Sequence, residues 1–148
     1  MKFNLPALCV VACLAPAAAF AKCDKDVKTV FSCQTAKGKV IEVCDAGKTI
    51  SYSFGLPTSK PEIVVTVPRA QASTSQWEGV GRYMSYSVNI PNGNGVYSVY
   101  WAADRMSDKH GIEAGVNVEI NKKQVATVKC IGDNIVQNIE GIQLKRAE

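Results

Sequence analysis

The chain has 148 residues and a formal net charge of +4, enough length for one domain with its own core. Its 17 basic and 13 acidic residues are mixed, with no run of five like charges, which argues against a nucleic-acid-binding stripe and for a slightly basic, solvated surface. One histidine in the whole chain leaves little room for imidazole catalysis or zinc binding.

The first 21 residues read as an export signal. Lys2 supplies a positive n-region, an apolar stretch runs from Leu5 to Phe20, and Ala19-Phe20-Ala21 fits the small-x-small rule for cleavage. The apolar run is short for a bilayer span, and Pro6 and Pro16 interrupt it. Val11-Ala12-Cys13 loosely resembles a lipobox, but that reading would leave a very short h-region, so plain export is preferred. The expected organisation is a signal peptide at 1–21 and a single all-β domain at 22–148. The mature protein would be periplasmic or secreted, with no transmembrane anchor.

Cys9 and Cys13 leave with the signal, and Cys23, Cys33, Cys44 and Cys130 remain. An even count in an exported chain predicts two disulfides. A zinc site would need close cysteine pairs or more histidine than His110, so neither a metal nor a cofactor is expected. Four cysteines allow three pairings. A turn at Lys37-Gly38 would put Phe31, Cys33, Val40 and Cys44 on one hairpin face. That favours Cys33–Cys44 with Cys23–Cys130, and the alternative of Cys33–Cys130 with Cys23–Cys44 stays open.

From there the apolar period is two. Ile50, Tyr52 and Phe54 alternate with Thr49, Ser51 and Ser53; Met84, Tyr86, Val88 and Ile90 alternate with Ser85, Ser87 and Asn89; Val116, Val118 and Ile120 alternate with Asn117 and Glu119. Half-buried strands have this pattern. Turn residues at Asp45-Ala46-Gly47, Asn92-Gly93-Asn94-Gly95, Asn121-Lys122-Lys123 and Gly132-Asp133-Asn134 punctuate them. About nine strands are predicted, near 28–35, 39–44, 48–54, 61–67, 82–90, 95–103, 115–121, 124–131 and 135–144. At most a helical turn is expected within 103–109. Short connections favour antiparallel neighbours, so the predicted fold is a single antiparallel β-barrel or sandwich. The two longest polar loops, 68–81 and 104–114, are where function is expected.

Catalytic constellations are missing from the pattern. His110 sits in a polar loop, and neither G-x-S-x-G nor H-E-x-x-H occurs. Asp104 and Asp108 could form a carboxylate pair, but Arg105 and Lys109 beside them favour surface charge. An enzyme is therefore not expected. The aromatic residues carry more information: Trp77, Tyr83, Tyr86, Tyr97, Tyr100 and Trp101 fall close together. Core packing and cross-strand pairing explain such a set. An exposed platform for a protein or for wall sugars is the sharper reading, with Arg82 and Tyr83 beside the glycines of "GVG".

The segments "GVGRY" (79–83), "VYSVYW" (96–101) and "VATVKC" (125–130), with "FSCQTAKGKVIEV" (31–43), resemble the bacterial periplasmic and membrane-bound inhibitors of c-type lysozyme. Those are small exported β-barrel proteins that insert a loop into the lysozyme cleft. The family's serine position falls here on Gly79 and its motif glycine on Val80, while Tyr83 matches. The resemblance implies a protein partner, a lysozyme-like hydrolase or a toxin. It places Arg82 and Tyr83 in the inserted loop, with Ser73 or Ser75 standing in for the serine. The expected partner site is therefore Ser75, Arg82, Tyr83, Tyr97 and Trp101. The alternative is a peptidoglycan-binding module that uses the aromatic residues.

Overall fold

The computed structural model describes residues 23–148, so the expected signal segment lies outside the described residues. Ten strands run in chain order: β1 Lys28–Thr35, β2 Val40–Asp45, β3 Thr49–Gly55, β4 Ile63–Pro68, β5 Ser73–Ser75, β6 Tyr83–Asn92, β7 Gly95–Asp104, β8 Ile112–Ile120, β9 Lys123–Gln137 and β10 Lys145–Arg146. They form one sheet in the order β10-β5-β6-β7-β8-β9-β1-β2-β3-β4. The domain is all-β, as expected. The sheet is a curled half-barrel, however, rather than a closed barrel, because β4 and β10 at its two ends do not pair. A single 3-10 turn, Arg69–Gln71, carries the chain from β4 to β5 across that seam.

The period of two decides which face is buried. Phe31 and Cys33 of β1 lie opposite Val43 and Ile41 of β2. Tyr52 lies opposite Val43 on one side and Val65 on the other. In the other half, Tyr86, Val88 and Ile90 of β6 face Trp101, Val99 and Tyr97 of β7. The curl brings these two apolar faces together. Phe31, Ile41, Ile50, Tyr52, Val88, Ile90, Val99 and Val116 are fully buried, and Ile139 from the C-terminal segment joins them. Burying each such side chain contributes roughly 1.5–3 kcal/mol. Gly115 marks the tightest backbone approach, since a Cβ there would sit 2.2 Å from the Val128 carbonyl oxygen.

Several expectations need correction. The strand count is ten, not nine. β5 and β10 were not expected; they are two or three residues long, too short to show a period, and their mutual pairing is parallel. The strand expected at 124–131 runs on to Gln137 as one strand, β9, and most of the strand expected at 135–144 is turn and irregular chain at 138–144. Gly132, with φ +72°, serves as a bulge there rather than a hairpin turn. The chain leaves β8 after Lys129 and takes up β1 from Cys130, and the bulge shifts the register so that Gln34 faces Ile131 while Ser32 faces Val136. The 103–109 stretch contains bends and a turn but no helix.

The preferred disulfide pairing is also overturned. The bridges are Cys23–Cys44 and Cys33–Cys130, with Cα separations of 5.6 and 5.8 Å. The cause is the β1–β2 turn. Thr35 N–H donates to the Lys39 carbonyl, and Gly38 adopts φ +73°. The resulting loop pairs Cys33 with Ile41 rather than Glu42. A one-residue shift moves a strand's side chains to the opposite face. Cys33 points into the core, while Cys44 lies on the outer face within reach of Cys23. Two disulfides fit an oxidising compartment. Among the described residues no helix is long and apolar enough to cross a membrane.

Candidate partner-binding site

The β6–β7 hairpin pairs Tyr83 with Asp104 at its open end. The two long loops, 76–82 and 105–111, therefore emerge side by side. Each is braced from within. Gln76 anchors the base of the first: its side-chain NH2 donates to Thr74 Oγ1 at 2.8 Å and to the Ile139 carbonyl at 3.0 Å, and its oxygen accepts from Gly141 N–H at 2.9 Å. Trp77 Nε1–H donates to the Val80 carbonyl at 2.9 Å and closes the loop on itself. Gly79 and Gly81 take φ +87° and +93°, a region most side chains avoid.

Asp104 joins the two loops. Arg82 Nε donates to both Asp104 oxygens at 3.0 Å, and a second guanidinium nitrogen reaches Oδ2 at 2.6 Å. Such forked pairs fix geometry as well as charge. The same carboxylate accepts from Met106 N–H at 3.0 Å and Ser107 N–H at 3.3 Å. The Arg82 hydrogen bonds, followed by the Met106 N–H, hold the Asp104 carboxyl well below the usual carboxylate range. The same hydrogen bonds and the adjacent negative charge push the Arg82 guanidinium up. Arg105 completes the brace. Its backbone N–H donates to the Arg82 carbonyl, its side chain reaches the Gly81 carbonyl at 3.3 Å, and its guanidinium lies 4.6 Å from the Trp77 ring centre.

This tip leaves apolar groups in water. Val80 and Met106 are each 76% exposed, and Tyr83 is 50% exposed with Arg82 5.6 Å from its ring centre. Ser75 is exposed at the end of β5 and lines a pocket of about 350 Å³ with Trp77, Val80 and Tyr83. Arg146 and Glu78, on the same pocket, are paired with each other.

Ser75, Arg82 and Tyr83 are thus gathered at one end of the molecule, and the other two expected site residues lie elsewhere. Tyr97 stacks on the buried Tyr52 with ring centres 4.5 Å apart, and Trp101 stacks on Tyr86 at 6.2 Å. Both pack against the core. Burial, then the neighbouring Tyr97, pushes the Tyr52 hydroxyl well above its usual range. Trp101 also lines a cleft of about 750 Å³ with His110, Ile112 and Asp133. His110 has φ +45° and its Nδ1 lies 3.3 Å from the Asp104 carbonyl oxygen. Cys23, Glu42 and Cys44 form a tight group of metal-ligand types, but the two cysteines are bonded to each other.

Sequence reasoning missed Asp104, Arg105, Val80 and Met106 as site residues, and named Trp77 only within the aromatic set. The signal for Asp104 was available. A tight turn at Asn92–Gly95 sets the hairpin register, and counting outward from it puts Tyr83 opposite Asp104 and so Arg82 beside it. Reading Asp104 with its chain neighbours instead gave surface charge. The chain matches no protein-family model, no curated protein and no solved structure.

Proposed function

We propose that this protein is an exported, non-catalytic binding module whose two-loop tip engages a protein partner, and that the partner is a cell-wall-degrading enzyme of the lysozyme type. The observation that carries the reading is the tip itself: Val80, Tyr83 and Met106 are exposed on loops already held by the Arg82–Asp104 fork and the Arg105–Trp77 stack. Apolar and aromatic groups on preorganised loops are what protein interfaces use, because little entropy is lost when they dock. Arg82 is committed to Asp104, so its role here is to position Tyr83, and the partner contact falls to Tyr83, Val80 and Met106. Ser75 lies at the margin of this surface.

The glycan reading keeps one support. Of the two strand aromatics in that reading, Trp101 lines a sizeable cleft, whereas Tyr97 is covered by Tyr52. A stacking platform for a polysaccharide would want both rings open to solvent.

The test is inhibition of a panel of c-, g- and i-type lysozymes by the mature protein, with retention on insoluble peptidoglycan measured alongside. Inhibition of one class at micromolar concentration, without retention on glycan alone, is expected. Retention without inhibition would favour the wall-binding alternative. Neither result at micromolar concentration would remove the lysozyme reading.

A further inference from the structure

A second site lies away from the tip, in a corner where the β1–β2 hairpin ends beside β9. β9 pairs with β8 along Lys123–Lys129, while its ladder with β1 ends at the Thr35–Cys130 pair. Before Cys130 the edge of β9 that would face β1 is open, and a cavity of about 570 Å³ occupies the space. That volume is within the ~300–1,000 Å³ range of small-molecule sites. Phe54, Val128, Ile131 and Ala36 give it an apolar lining.

Its charge is one-sided. Lys37, Lys39 and Lys129 line it and no acidic residue does. Lys39 is held by Glu62, both of whose carboxylate oxygens are 2.8 Å from its Nζ, and it lies 5.2 Å from the centre of the Phe54 ring. Lys37 and Lys129 have no ion-pair partner among the described residues.

A buried polar group at the same place is unsatisfied. Thr35 is 4% exposed, and its hydroxyl oxygen has no hydrogen-bond partner. Buried hydroxyls are normally paired, and an orphan calls for a reason. Thr35 shares the core-facing side of β1 with Phe31 and Cys33 and lines this cavity. Rotation about its Cα–Cβ bond is the smallest change that would turn the hydroxyl to an occupant.

We propose that this cavity binds a free fatty acid, its acyl chain against Phe54, Val128 and Ile131 and its carboxylate between Lys37 and Lys129, within reach of a rotated Thr35 hydroxyl. An acyl chain suits the apolar lining, and a carboxylate suits Lys37 and Lys129, the two lysines on the cavity that lack an ion-pair partner among the described residues. The site is independent of the tip and of the lysozyme reading.

Titration of the mature, oxidised protein with laurate below its micelle concentration tests this, with dodecanol, dodecyltrimethylammonium and anionic phospholipid vesicles as parallel probes. One laurate per chain is expected, bound at least ~10-fold more tightly than dodecanol, with no uptake of the cationic analogue. The surface variant Lys37→Glu/Lys129→Glu should lose at least ~10-fold in laurate affinity while its dodecanol binding holds. Thr35→Val should weaken laurate binding, while the unliganded protein melts at the same temperature or higher, because the orphan hydroxyl is gone. Absence of laurate binding, equal binding of dodecanol, or laurate affinity unchanged in the double variant would overturn the proposal. Vesicle binding without monomeric laurate binding would assign the lysines to a membrane surface and overturn it too.

Discussion

Tyr83 and Tyr97 belong to one aromatic cluster in the sequence, and the fold sends them to opposite fates. Tyr97 is the third residue of β7, on the core-facing side, and stacks on a Tyr52 that is 1% exposed. Tyr83 begins β6, where the ladder gives way to loops, and half of it remains in water. The difference is one of strand face rather than of residue type: Tyr97 lies opposite the buried Ile90, whereas Tyr83 is out of step with Tyr86, Val88 and Ile90. Within the ladder, alternation sends every second side chain into the core. Counting in twos from the buried Tyr86 leaves Tyr83 on the opposite face, with Ser85 and Ser87. Composition alone cannot separate a packing tyrosine from a binding one, but the face set by strand alternation and register does. Changes in the interior should therefore cost stability, and changes at the tip should cost affinity.

The largest effect should come from the interior bridge. Replacing Cys33 and Cys130 with alanine opens a loop closed across a sequence separation of 97, worth about 4–5 kcal/mol in the chain-entropy model. Replacing Cys23 and Cys44, at a separation of 21, should cost about 3 kcal/mol. Urea unfolding of both double variants checks the order. Next, Tyr97→Ala should lose about 3–4 kcal/mol, since it empties a ring-sized space against Tyr52. The same titration on Tyr83→Ala should move stability by no more than ~0.5 kcal/mol. The contrast then reverses for binding. Tyr83→Ala is expected to weaken inhibition by about 2 kcal/mol, as for a central interface residue, and Tyr97→Ala, assayed where it is folded, should leave inhibition near wild type. If Tyr83→Ala unfolds the protein, the ring is part of the core and the comparison collapses.

The smallest effect concerns acid. The folded-state pKa of Asp104 is depressed, against about 3.9 in an unfolded chain. Its stabilising contribution is therefore fully present above about pH 4 and is lost as pH falls below that value. Thermal melts of wild type between pH 5 and 2 should show this loss. Asp104→Asn should start lower at pH 5 and flatten the part of the acid limb due to this residue. An acid limb identical in the two proteins would remove Asp104 as the brace of the tip.

Much of the fold was legible in the sequence because alternation is a local signal. Ile50, Tyr52 and Phe54, or Tyr86, Val88 and Ile90, state their strand and buried face without help from the rest of the chain. The two-disulfide count followed from cysteine number and the export signal. What could not be read depended on register or on contacts far along the chain. The pairing of Cys44 with Cys23 turned on one extra residue in the loop after Thr35. The continuation of β9 past the expected end at 131 to Gln137 turned on whether Gly132 bends the chain back or only shifts it sideways. β5 is set by its pairing with β6, and β10 by its contact with Ser73–Thr74, neither of which a local pattern announces. At the site, the glycines and Tyr83 stood out locally, whereas the Arg82–Asp104 fork spans the hairpin and needed its register.

The most direct test of the tip as partner surface is hydrogen–deuterium exchange of the mature protein alone and with a lysozyme it inhibits. Slowed exchange confined to residues 77–83 and 104–107, with β1–β4 unchanged, is the predicted result. Protection on another face, with both loops exchanging as in the free protein, would contradict the account.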